Sequence, residues 1–476
     1  MSSKGANLCL DAVIVALSHA CEGGDKRWYT STLELQLVSL GFCRACRSVP
    51  MLQAHVDWRT PSSLWHSRKA GRDKRISKVS VSSRLPVVRA FHLVWAIPME
   101  VLIRRAASEL WASLISLQLL GFVSEGSLRS VVWPPGLKQL VMHTETCVEL
   151  VSWPPSLRSL TLAGGFNRRI LGAVWPKSLQ QLSLGEWFNQ PIVGISWPAT
   201  LQQLSFGFRF NQLITGVAWP VSLQHLSFNG GLAQPIGEVS WPPALQHLRL
   251  GDEFDQPIHG VSWPVSLRNL RFGDSFNQPI DRVVWPPKLE QLTFGDRFNR
   301  PIARASYPAS LRQLTFGRLF NQPIVEVVWP SSLQQLVFGF CFLQSLTEIL
   351  WPPSLRHLCL GEGFDTPVIG VVWPAYLQQL TFGWFFDQPI VGVVWPASLQ
   401  QLSFGACFNQ SIAGVVWPAS LQQLSFGAWF NQPIAGVVWP QSLRTLSFGT
   451  RFSQPVGNIA WPASLQSVTR GGISLI

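Results

Sequence analysis

A Trp-Pro pair returns every 22 residues through most of this chain. From Trp153 it recurs at Trp175, Trp197, Trp219, Trp241, Trp263, Trp285, Trp329, Trp351, Trp373, Trp395, Trp417, Trp439 and Trp461, and Tyr307 fills the single gap. A fixed period held this long marks a solenoid, in which each unit buries its apolar side against its neighbours. Function is therefore to be sought on surfaces rather than in one pocket. Read from the tryptophan, the unit is W-P-x-S-L-Q-Q-L-S-F-G-x-x-F-N-Q-P-I-x-G-V-V. Two neighbouring copies, Val393–Gly414 and Val415–Gly436, differ only at Cys407 against Trp429 and Ser411 against Pro433.

Leu424 and Phe426 lie two apart and share one face of a short strand, which leaves Gln423 and Ser425 on the other face. One strand per coil is expected. Gly427 and Asn431–Pro433 read as turns, because glycine accepts positive φ and asparagine bonds its own backbone. Prolines one and sixteen residues after the tryptophan leave little room for a regular helix. The return arm Ile434–Trp439 is expected to be extended.

Stacking turns the tryptophans into a ladder, among them Trp175, Trp197, Trp219, Trp395, Trp417 and Trp439. It does the same for Phe404 with Phe426 and for Phe408 with Phe430. Rings flanked by valine, proline and leucine are structural plates and not a base-stacking platform, which needs exposed rings among basic residues. The asparagines Asn167, Asn189, Asn211, Asn277, Asn299, Asn321, Asn409 and Asn431 form another column. Their amides are expected to be buried and to bridge successive turns. Asp255, Asp365 and Asp387 substitute there and still accept bonds. Burial of the column makes the sequon Asn409-Gln410-Ser411 an accident of Ser411.

The runs Leu421-Gln422-Gln423-Leu424-Ser425-Phe426 and Phe430-Asn431-Gln432-Pro433-Ile434 resemble the FNIP repeat, a short relative of the leucine-rich repeat. The resemblance covers residues 133–470. Together with the period it gives the expected fold: a β-rich, leucine-rich-repeat-like β-solenoid, right-handed, of about fifteen to sixteen 22-residue coils. A small, partly helical or disordered N-terminal region precedes it. The expected organisation is a region of uncertain fold at 1–60, a basic linker at 61–89, a cap or degenerate first repeat at 90–132, the solenoid at 133–470 and a tail at 471–476. Some FNIP-repeat proteins carry an F-box or kinase domain beside the repeats. Here Ile97-Pro98-Met99-Glu100-Val101-Leu102 is only faintly similar to the opening of an F-box, and it suits a capping helix equally well.

Of the chain, 47% is hydrophobic and 13% charged, yet no apolar run reaches the length of a membrane helix. Residues 1–105 carry a net charge of +9 and residues 106–476 only +3. Most of the excess lies in Ser67–Arg89, where Arg68, Lys69, Arg72, Lys74, Arg75, Lys78, Arg84 and Arg89 face only Asp73. That segment alone suits nucleic acid, an anionic membrane or an import receptor, and the plain alternative is a solvated linker. Lys4, the apolar Ala12–Leu17 and Ser18-His19-Ala20 loosely resemble a secretion signal, against which Asp11 and the six-residue core argue. Eight cysteines are too few for a disulfide scaffold. Cys43 and Cys46, with His55 and His66 beyond, lack the second close ligand pair of a zinc site. A cytoplasmic location follows as the expectation.

No catalytic signature is present: there is no phosphate-binding loop, nucleophile elbow, zincin helix or kinase set. Specific recognition is then expected where copies differ on the outward strand face. The Gln423 position carries His225, His247 and Asn269 in three consecutive coils and His357 later. The Ser425 position carries Arg249 and Arg271, with Arg268 beside them. This patch suits a carboxylate or phosphate. Asp252, Asp274 and Asp296, with Glu253 nearby, form an acidic column expected to pair with Arg297, Arg271 or solvent rather than to hold calcium. No metal or other cofactor is expected. These readings point to a non-enzymatic scaffold that binds a protein through the strand face. The alternatives are an F-box-type substrate receptor for ubiquitin ligation, and a secreted or surface glycan-binding solenoid, which cleavage after Ala20 would favour.

Overall fold

The structure is a computed structural model and describes residues 37–39, 91–95, 114–119, 128–129 and 131–475. The basic segment, the Cys43–Cys46 pair with its histidines, the leader-like opening and Ile97–Leu102 lie outside the described residues. The chain divides into two units, Met1–Gln190 with Ile195–Leu204, and Pro191–Gly194 with Ser205–Ile476.

In the first unit Leu37–Ser39 pairs antiparallel with Phe91–Trp95, which pairs parallel with Ser116–Leu119. Gln139–His143, Ser159–Ala163 and Gln181–Leu184 follow, each parallel to the strand before it. In the second unit a short parallel strand recurs every 22 residues from His225–Phe228 to Ser467–Arg470, and residue n pairs with residue n+22. Ile473–Ser474 then turns back antiparallel onto Ser467–Arg470. The fold is a β-solenoid of about sixteen turns of about 22 residues. No helix occurs between residues 131 and 475.

The strand Gln423–Ser425 shows why each coil folds this way. Leu424 and Phe426 are 1% and 2% exposed, whereas Gln423 is exposed and Ser425 half-buried. Because strand side chains alternate, one coil contributes only a few apolar groups, and it becomes stable only when its neighbours cover them. Leu399, Leu421 and Leu443 are wholly buried at the corner that enters the strand. Phe408 and Phe430 stack at 6.0 Å, Phe404 and Phe426 at 5.5 Å, and Phe426 meets Phe430 of its own coil at 4.2 Å. Tryptophan rings stack as plates within each unit, Trp373 on Trp395 at 6.1 Å in the second and Trp133 on Trp153 at 6.3 Å in the first. Trp175, Trp219, Trp395, Trp417 and Trp439 are buried, and Trp197 is half-buried. The indole nitrogens of the ladder tryptophans from Trp133 to Trp439 are buried too.

Polar ladders complete the coil-to-coil bonding. The Asn409 Oδ1 accepts the Asn431 backbone N–H at 2.9 Å, and Asn167 serves Asn189 in the same way at 2.9 Å. Asp387 replaces asparagine without losing the bond, accepting the Asn409 N–H at 2.8 Å. A second ladder is carried by serine: Ser420 Oγ donates to the Leu399 carbonyl at 2.7 Å, as Ser178 does to Leu157. The asparagine column is not buried as expected. Asn189, Asn409 and Asn431 are half-buried and Asn167 is exposed, because only the acceptor oxygen faces the next coil. Burial therefore does not explain away the Asn409-Gln410-Ser411 sequon.

This ladder makes a testable prediction at Asn299, whose Oδ1 takes both the Asn321 N–H and the Gln322 Nε2, each at 2.9 Å. Asn299→Ala is expected to cost about 1–2 kcal/mol by leaving two donors without their acceptor. Asn299→Asp keeps an acceptor and is expected to cost less than half as much. Urea midpoints of the two variants check the ranking.

Two local expectations are corrected. The return arm Ile434–Trp439 is not extended, since the Val437 N–H bonds the Ile434 carbonyl at 3.3 Å and closes a turn at Ala435–Gly436. Positive φ belongs to that turn, with Gly436 at 77° and Gly414 at 80°, and not to Gly427. Gly427 is glycine for a different reason: a Cβ there would lie 1.9 Å from the Gly405 carbonyl oxygen.

Candidate functional site on the strand face

The outward positions of neighbouring strands fall in register. His225 pairs with His247 and His247 with Asn269, while Ser227, Arg249 and Arg271 align beside them. The 22-residue period alone produces this juxtaposition. The His225 and His247 rings stack at 4.2 Å with 3° between their planes. His225, His247, Arg249 and Asn269 are half-buried, and Arg271 is exposed.

The electrostatics differ from a simple basic patch. Arg249 Nη2 donates to Asp252 Oδ1 at 3.2 Å, so Asp252 is paired within its own coil rather than with Arg271 or Arg297. Arg268 precedes the strand and forms an ion pair with Glu290 of the next coil. Arg271 forms no ion pair among the described residues and is the cation left available to a ligand. Asp296 Oδ1 accepts the Arg318 backbone N–H at 3.3 Å. Among the described residues no group of three or more His, Cys, Asp or Glu side chains is arranged to hold a metal ion. Beyond the patch the face is mostly a ladder of glutamine with serine or threonine, interrupted by Val337, His357 and Cys359, and in it Gln379 Nε2 donates to Gln401 Oε1 at 2.7 Å.

Burial lowers the His225 pKa from its ordinary value. His247 is lowered first by burial and then by His225 and Arg268. A base whose folded pKa lies below its unfolded value holds fewer protons when folded. Stability is then unaffected above the unfolded pKa of about 6.5 and declines as the pH falls below it. Lowering the pH from about 7.5 to about 5 is expected to depress the melting temperature of the native chain more than that of a His225→Gln/His247→Gln variant. Glutamine is the residue that Gln291 and Gln423 supply at this position.

Two surface features escape sequence reasoning. Trp384, Phe385 and Trp429 are exposed at the turn after the strand, where Phe340 meets Phe385 edge-on at 5.9 Å and Arg451 lies 5.0 Å over the Trp429 ring. The signal was available in the Cys407–Trp429 difference between otherwise near-identical copies. The first valine of each Val-Val pair is buried and the second faces solvent, as at Val415 and Val416.

A family model described as the FNIP repeat matches eight times, at residues 166–209, 232–275, 254–297, 276–319, 298–341, 386–429, 408–451 and 430–469. The chain belongs to the FNIP-repeat family. Among solved structures, this FNIP array is similar to CroV588, described as a novel circular leucine-rich-repeat protein, at 39% identity and a TM-score of 0.67. That match covers 75% of this chain and 57% of CroV588, so the FNIP chain spans a little over half of that relative. The Toll–Spatzle complex of Drosophila is matched at 10% identity and a TM-score of 0.52, covering 77% of this chain and 62% of that one, which is a likeness of fold alone. No curated protein matches the FNIP chain. Among the described residues no helix is long and apolar enough to cross a membrane.

Proposed function

We propose that this protein is a non-catalytic scaffold that binds another protein through its strand face, with recognition centred on His225, His247, Arg249, Asn269 and Arg271. The observation that carries the reading is their register: three adjacent coils replace the glutamine at the first outward position, and the second and third also replace the serine at the other with arginine. Stacked coils present such a continuous face to a partner. Arg271, which forms no ion pair among the described residues, supplies a guanidinium fit for a carboxylate or phosphate, and Asn269 and the stacked histidines supply hydrogen bonds beside it.

The full chain and an Arg249→Glu/Arg271→Glu variant, each immobilised at equal density, are to be exposed to native lysate. A protein retained by the native chain and bound at least tenfold more weakly by the folded variant supports the reading. Equal retention by both, or retention of nothing by either, overturns it.

A further inference from the structure

We infer that the C-terminal coils carry a self-association surface whose occupant is a second copy of this chain. The residue before each tryptophan is Val328, Leu350, Val372, Val394, Val416 and Val438 in six consecutive coils, and each of these side chains is 76–82% exposed. They form one column, because every coil repeats the last at a strand spacing of about 4.8 Å. Val325, Ile369 and Val391, three residues earlier in their coils, widen the stripe with further exposed aliphatic groups. The four segments 369–375, 391–397, 413–419 and 435–441 contain no charged residue.

Coil architecture does not demand this column. The same position holds Ser196, Ala218, Ser240 and Ser262 in four earlier coils, which fold with the same strand. The six consecutive large aliphatic groups include four coils without charge beside them, Glu326 and Glu348 flank the other two, and isolated exposed valines recur at this position at Val132, Val174 and Val284. Monomeric soluble proteins rarely expose a contiguous apolar patch of more than a few hundred Å².

Area and pattern together select a second copy as the occupant. Nine aliphatic side chains, each presenting on the order of 100 Å² or somewhat less, amount to roughly 600–800 Å² per copy, close to the ~800 Å² that a partner buries in a standard interface. A twofold dimer needs a self-complementary patch, and a column of nearly identical side chains at constant pitch is complementary to itself run in the opposite direction. Beyond Glu326 and Glu348 at one end, the stripe carries no charge or special donor and offers an unlike partner little to select beyond that pitch. The inference goes beyond the strand-face reading and does not depend on it: dimerisation through this column would make a strand-face scaffold bivalent.

Sedimentation velocity of the full chain between about 1 and about 100 µM tests the inference. The native chain is expected to dimerise, and Val394→Lys/Val416→Lys to weaken that association at least tenfold while keeping its melting temperature within a few degrees. Ser262→Lys, in the same column outside the stripe, is expected to leave association unchanged. A native chain that stays monomeric throughout overturns the inference, as does association that survives Val394→Lys/Val416→Lys. Flotation with uncharged phosphatidylcholine vesicles is run in parallel, and a monomer that floats with them would assign the stripe to lipid instead.

Discussion

Gly427→Ala is expected to be far more damaging than Gly436→Ala, although both glycines recur in neighbouring coils. At Gly427 an added Cβ would lie 1.9 Å from the Gly405 oxygen, 2.3 Å from its carbonyl carbon and 2.5 Å from the Ala406 Cα, all of them backbone atoms. None can rotate away, so two coils must separate, and the expected loss is about 3 kcal/mol or more. Gly436 has φ of 77° and nothing within 4 Å of the would-be Cβ, so alanine there incurs only left-handed backbone strain of about 1–2 kcal/mol. Thermal unfolding ranks the pair, and amide exchange locates the damage. Equal effects, or a larger loss at Gly436, would contradict the assignment of close approach to one column and positive φ to the other.

Phe430→Ala is expected to cost about 3–5 kcal/mol, at the upper end for a single core truncation. The side chain is wholly buried and stacks on Phe408, Phe426, Phe448 and Phe452 at 6.0, 4.2, 6.0 and 6.1 Å. Its removal leaves a void bounded by rings that the ladders hold in place, which limits collapse. Phe430→Leu fills much of the volume and is expected to lose less than half as much. Because coils couple mainly to their neighbours, amide exchange should rise around coils 393–457 well before it rises near residue 225. A uniform rise through the second unit would show that the array does not behave as a chain of local interfaces.

Sequence made the columns legible because a fixed period converts spacing directly into stacking. Leu424 and Phe426 inward, the tryptophan and phenylalanine ladders, and the Asn409–Asn431 bridge all follow from that one fact. The glycine roles do not follow, since steric crowding at Gly427 and positive φ at Gly436 select the same residue. The turn at Ala435–Gly436 was hidden for a related reason: the apolar run Ile434–Trp439 looks like a strand, yet one residue in it leaves the strand conformation. At the strand face, register placed His225, His247 and Asn269 side by side from numbering alone. The charge state of that face was less accessible. Arg249 reaches Asp252 three residues ahead and Arg268 reaches Glu290 one coil on, and these choices depend on side-chain reach rather than on period. The outward valines were read as flanking core because Val-Val carries no sign of which member turns out.

The account rests on the 22-residue coil as the unit of folding, and removing residues tests that most directly. Deletion of Val393–Gly414 takes out one whole coil and joins Gly392 to Val415, restoring every column. Deletion of Val393–Ser403 takes out half a coil and sets Gly392 against Phe404. The whole-coil deletant is expected to keep a native far-ultraviolet spectrum and a melting temperature within a few degrees of the full chain, because array stability is roughly a sum of unit and interface terms. The half-coil deletant is expected to lose cooperative unfolding. Equal tolerance of the two deletions, or collapse of the whole-coil deletant, would contradict the claim.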